Sequence, residues 1–240
     1  MNTKSSNPAL TLGFKNVVED NTTMSIKGTI TKTFILLLIL SSTFVYSWIS
    51  LQNSTINYKS ITIVAAIASV ILGLATAFIP KIAQFTAVFY AACEGILLGG
   101  LSRIFENIYP GIVFPAIILT LVAVVITLLI YRSAPSIADK IRKTVIISML
   151  TIGITYFIGI ICGIFGVNLA IFGSGLIGII FSILVVGIAT LNLILDYDFI
   201  LKATKLGAPK YMEWYSAFSL MVTLIWLYTE ILKLLSKLRD

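Results

Sequence analysis

Residues 173–198 read GSGLIGIIFSILVVGIATLNLILDYD. From 173 to 195 no residue carries a charge, and then Asp196 and Asp198 arrive together. Some twenty apolar residues rising 1.5 Å each cross the hydrocarbon core of a bilayer. The apolar positions are continuous; a strand of a membrane barrel would alternate in segments of about ten residues. The stretch therefore reads as a membrane-spanning helix with two carboxylates at its edge. An acid in that position is costly, and it usually serves a pathway, a gate or a proton.

Six further runs have the same character, which predicts seven spans over residues 33–51, 61–80, 82–103, 109–131, 143–165, 173–197 and 214–236. The chain of 240 residues is 58% hydrophobic and 11% charged, whereas a soluble domain carries roughly a quarter charged residues. The expected fold is all-α, a polytopic seven-transmembrane-helix bundle. Residues 1–32 are polar, with little periodicity, and read as a partly disordered cytoplasmic arm ahead of a transmembrane domain at 33–240. A cleavable signal would begin its apolar core much earlier, so the first helix reads as an uncleaved anchor.

The net charge is +7. In a soluble chain that would suggest nucleic acid; here the cations sit in loops and report topology. With seven spans, Lys4, Lys15, Lys27, Lys32, Lys81, Arg132, Lys140, Arg142, Lys143, Lys202, Lys205 and Lys210 share one side. Lys59, Arg103, Lys233, Lys237 and Arg239 share the other. Twelve against five places the N-terminus in the cytoplasm and the C-terminus outside.

Several chemistries drop out. There is no histidine, which removes Ser-His-Asp triads, His-ligated zinc and haem. Cys93 and Cys162 lie inside apolar runs and form no disulfide framework. GSGLIG at 173–178 is formally GxGxxG, but it opens a membrane helix, not the turn of a βαβ unit, so no dinucleotide site is read there. No cofactor is expected. Small residues four apart, Gly95–Gly99, Gly159–Gly163 and Ser174–Gly178, allow close helix contact.

Half or more of the ten acidic residues lie in or beside apolar runs, Glu106 among them. Glu94 falls near the bilayer midplane and must be protonated, hydrogen-bonded or turned to a wet cavity; it reads as a pathway residue or as a helix–helix tie. Asp196 and Asp198 diverge by about 200° on a helix and cannot face one partner. Asp198 reads as the acid facing the bundle and Asp196 as the one at the rim. Glu213 opens the last span at the same depth, so Asp196, Asp198 and Glu213 could together form an acidic cytoplasmic mouth; ordinary helix N-terminal charge is the alternative for Glu213. Glu230 lies towards the other side, one turn before Lys233, and reads as a structural ion pair.

At SNPAL (6–10), MSIKGTITKT (24–33), EGILLG (94–99), LNLILDYDFI (191–200), GAPKYMEWY (207–215) and LIWLYTEILKLL (224–235) the chain resembles the bacterial branch of the Bax inhibitor-1 (YccA-like) membrane proteins. The resemblance implies a seven-helix fold with the last helix near the centre. It implies a calcium-permeable leak opened and closed by pH, in a bacterial inner membrane; YccA-like members are instead linked to restraint of a membrane-bound ATP-dependent protease. It also implies an aspartate on the sixth span hydrogen-bonded to one on the seventh. The first maps onto Asp198. The second falls on Thr223 or, in a looser register, on Glu230, so the full aspartate pair is missing.

Three functions then compete. A pH-modulated cation leak would use Asp198 and Glu94 as its calcium pathway, with no resident metal. A protonated Asp198 would donate to the last helix around Thr223 and hold the bundle closed. An intramembrane aspartyl protease needs a YD and a GxGD; Tyr197–Asp198 supplies the first, and no Asp follows a suitable glycine pair. The chain is therefore not expected to be an enzyme. A non-transporting regulator that binds another membrane protein is the third.

Overall fold

The computed structural model describes residues 23–50, 58–167 and 169–240. Among the described residues seven α-helices follow one another: α1 Ile26–Ser50, α2 Tyr58–Phe78, α3 Ala83–Ile108, α4 Val113–Ser133, α5 Ile137–Ile164, α6 Leu176–Lys205 and α7 Met212–Lys237. Single 3₁₀ turns precede α3 and α6. All seven are long and apolar enough to cross a membrane. The large side chains left exposed, such as Phe78, Phe114, Ile164 and Leu176, point where lipid would be. A helix apolar on all sides suits a bilayer and has no need of an amphipathic stripe.

The helices differ from the predicted spans mainly at their ends. α1 begins at Ile26, so residues 26–32 of the expected polar arm are helical; residues 1–22 lie outside the described residues. α5 begins at Ile137 and α6 continues to Lys205, each well beyond its apolar run. Backbone hydrogen bonding continues into the charged turns, because the helix needs no apolar side chains once it leaves the hydrocarbon. As a result Asp196 and Asp198 sit two turns inside the end of α6.

α7 is the central helix. It packs against α1, α3, α4 and α6, and it buries Ala217, Met221, Leu227 and Leu232 together with polar Glu213, Thr223 and Glu230. α2 packs principally on α3, and α5 on α6. α5 needs only Ala138, Val145 and Ile152, spaced by seven, to meet its neighbour. α1 and α3 approach closely because a Cβ on Gly95 would strike the Leu40 carbonyl and Thr43, and one on Gly99 the Phe44 carbonyl. The other small-residue pairs act differently. Gly159 lies under the Phe172 ring, Gly163 faces open space, and Gly178 abuts the Gly173 carbonyl.

The turn between α6 and α7 is built by Gly207, at φ +67. Gly207 N donates to Thr204 O (3.1 Å) and Ala208 N to Ala203 O (3.1 Å), a Schellman termination that favours glycine at this position. The freed Ala208 carbonyl accepts Met24 N at 2.7 Å. The start of α1 is thereby tied to the α6–α7 hairpin.

Candidate functional site: carboxylates around the last helix

Asp196 faces α7. It accepts hydrogen bonds from Thr223 Oγ1 (2.6 Å) and Ser219 Oγ (3.1 Å), and Asn192 Nδ2 donates to Thr223 Oγ1 (3.0 Å). The spacing explains the cluster: 192 and 196 lie one turn apart on α6, and 219 and 223 one turn apart on α7, so each pair shares a face. Among the described residues Asp196 forms no ion pair.

Asp198 points away, towards α4 and α5. Its carboxylate pairs with Arg142 and with Lys202 (2.9 Å), and Tyr131 OH donates to it at 3.3 Å. Asp139 holds the same two cations, Lys202 at 2.7 Å and Arg142 at 3.7 Å. Only 5% of the Asp198 side chain is exposed. The expected contact with Thr223 is therefore made by Asp196; the two acids diverge as expected, but Asp198 is buried among other partners and Asp196 is not left at the rim. The reason is the register of α6, which turns position 196 to α7 and position 198 to the Arg142 guanidinium.

Glu213 is fully buried, with four donors. Ser25 N and Oγ donate at 2.9 Å each, Lys210 lies at 2.8 Å, and Lys32 forms a further ion pair. Gly28 leaves room for this carboxylate, since a Cβ there would strike it. Glu213 thus fastens α1 to α7. It shares no partner with Asp198 or Asp196, so the three acids form separate sites and not one acidic mouth; α1 supplies Lys32 to Glu213 and α5 supplies Arg142 to Asp198.

Glu94 is half-buried on α3, beside Ser69 and Tyr90. It also forms no ion pair among the described residues. It lines a cavity of about 460 Å³ between α2 and α5, together with Ser69, Asn192, Ser219 and Thr223. Asp196 stands directly behind Ser219 and Thr223. Glu230, nearer the other end of α7, accepts Tyr156 OH at 2.8 Å and pairs with Lys233 at 3.1 Å. Thr223 has no link to it. Glu106 accepts the backbone N–H groups of Gly111 (2.6 Å) and Val113 (3.2 Å) at the start of α4, where an anion meets the positive end of the helix dipole.

Asn192, Ser219, Tyr131, Arg142 and Lys32 complete these sites, and the reading of the sequence alone did not single them out for them. The signal available for the first two was their spacing of four from Asp196 and Thr223. For Arg142 and Lys32 none existed, because the contacts span 56 and 181 residues. The described residues contain no group of three or more His, Cys, Asp or Glu that could hold a metal ion.

Seven lipid-length helices, the last of them central and with acids packed against it, define a multi-pass integral membrane protein. The Bax inhibitor 1 like family matches the chain over residues 6–240, and the protein belongs to that family. No curated protein and no solved structure matches it.

Proposed function

We propose that the protein is a pH-modulated calcium or cation leak in a bacterial inner membrane, with its N-terminus in the cytoplasm, its C-terminus outside, and no enzymatic activity. One observation supports this reading above the rest. Glu94 and Asp196 carry hydroxyl neighbours and no cation; Glu94 lines the cavity between α2 and α5, and Asp196 lies behind its lining residues Ser219 and Thr223. Asp198, Glu213 and Glu230 are each neutralised by lysine or arginine. Carboxylates free of fixed counter-ions are the groups that draw cations into a pore.

The gate in this reading is Asp196 with Thr223. A hydroxyl can donate or accept, so α6 and α7 stay bonded whichever way the proton sits. Protonated, Asp196 donates to Thr223 and presents no charge to the cavity. Ionised, it attracts a cation past Asn192 towards Glu94. Flux therefore rises as pH rises.

Dye-reported calcium flux into liposomes at several pH values tests this. Wild type is expected to leak above empty liposomes and more strongly at higher pH, and Asp196→Asn is expected to flatten the pH response. If no flux exceeds that of empty liposomes, a regulator of another membrane protein, such as a membrane-bound ATP-dependent protease, becomes the better reading. A C-terminal reporter active only in the cytoplasm would reverse the topology.

A further inference from the structure

A second opening lies on the other flank of α7. It is a groove of about 780 Å³ whose walls are α1 and α4 and whose floor is α6 and α7. Its lining is apolar along most of its length, with Phe34, Leu37, Leu121, Val124 and Leu224 among its residues. Towards the end where α1 begins it carries Thr29, Thr33 and Tyr131.

Three helices place a cation at that end. Lys27 lies three residues outward of groove-lining Ile30 on α1. Arg132 lies four residues outward of Leu128 on α4, and Lys205 four outward of Leu201 on α6. Residues three or four apart share a helix face, so each cation lies on the groove's own side at this end; Lys27 and Arg132 also adjoin the lining residues Ile26 and Tyr131. All three are exposed and form no ion pair among the described residues. Lys32, Arg142, Lys202 and Lys210, on the same side of the molecule, are tied to Glu213, Asp198 or Asp139.

We infer that this groove is a binding site for an anionic phospholipid of the leaflet on the N-terminal side, its acyl chain between α1 and α4 and its phosphate among Lys27, Arg132 and Lys205. Charge selects this occupant. A headgroup phosphate supplies the anion that the three cations lack, and juxtamembrane Lys and Arg are a general means of retaining acidic lipid. The inference stands apart from the leak reading, because it uses neither the cavity nor its carboxylates.

The test uses the full-length protein in detergent, mixed with phosphatidylglycerol or phosphatidylcholine of identical acyl chains, with retained lipid counted by native mass spectrometry. Each cation near an anionic headgroup contributes about five-fold, so wild type is expected to retain phosphatidylglycerol at least about ten-fold better. The triple variant Lys27→Gln, Arg132→Gln, Lys205→Gln is expected to bring the two lipids to near equality. The triple Lys27→Arg, Arg132→Lys, Lys205→Arg keeps the charges and should keep the preference. Val124→Trp, which fills the groove, should lower retention of both lipids. Equal retention by wild type, or an undiminished preference in the neutral triple variant, would overturn the proposal. A photo-crosslinker at Leu128 that captures a protein chain in membranes, and no lipid, would also overturn it in favour of a partner helix.

Discussion

Asp196 and Asp198 stand two residues apart on one helix and meet opposite chemistry. Asp196 rests on the hydroxyls of Ser219 and Thr223 and has no cation. Asp198 is held by Arg142, Lys202 and Tyr131. The same division runs through the bundle. Glu213 resembles Asp198, with Lys32 and Lys210 at its carboxylate, and Glu94 resembles Asp196, beside Ser69 and Tyr90. An acid with a fixed counter-ion ties helices together and presents little net charge. One bonded only to neutral donors can change protonation without breaking the bundle, and it leaves its charge available to a passing ion. Asp196 and Asp198 lie only about 3 Å apart along α6, so the direction each side chain takes around the helix explains their division; for Glu94, at mid-depth, a cation would itself be costly.

If the ion-paired acids are structural, removing a counter-ion should destabilise the protein, most where the acid is most buried. Lys32→Met leaves a fully buried Glu213 with Lys210 and Ser25 alone, and should cost about 3 kcal/mol in detergent-phase unfolding. Replacing Glu213 by Leu in the same chain should restore much of the loss. Full stability of the single variant would break the comparison at its strongest point.

The next effect is at Glu94. Glu94→Lys puts a fixed donor-only cation at mid-depth and should cost about 2.5 kcal/mol. Glu94→Gln keeps an uncharged polar group beside Ser69 and Tyr90 and should melt close to wild type. Equal yield and melting for both variants would show that this carboxylate is not held inside the bundle.

Arg142→Gln should cost only about 1 kcal/mol, because the guanidinium group is 40% exposed and Asp198 keeps Lys202 and Tyr131. A smaller shift is expected for Asp196→Asn, about 0.5 kcal/mol, since Asn still accepts from Thr223. Its signature lies in function: the pH response of flux should flatten, while Arg142→Gln should leave that response in place. The opposite pattern would move the gate to Asp198.

Much of the fold was legible in the residues. Runs such as 109–131 and 173–197 are too long and too apolar for anything but spans, and α4 and α6 contain them. The ends were less legible, because α6 continues through Lys202 and Lys205 where no apolar pattern remains. In the candidate site, Asp196, Asp198, Glu213, Glu94 and Glu230 stood out by their cost in lipid. Their partners did not, since Arg142 and Lys32 resemble any loop cation that obeys the charge rule.

The sequence by itself determined that this is a seven-span protein, which side carries the excess of cations, and that its acids are too deep to be idle surface charge. Those properties depend on composition over twenty residues, and the bilayer imposes them one helix at a time. Tertiary structure alone decided that Asp196 and not Asp198 meets Thr223, that Glu213 belongs to α1, and that two openings of different chemistry flank α7. Each depends on the rotation of one helix against another. A turn of about 100° per residue moves a side chain from one neighbour to the next, and nothing in a single chain's spacing sets that rotation until the helices pack.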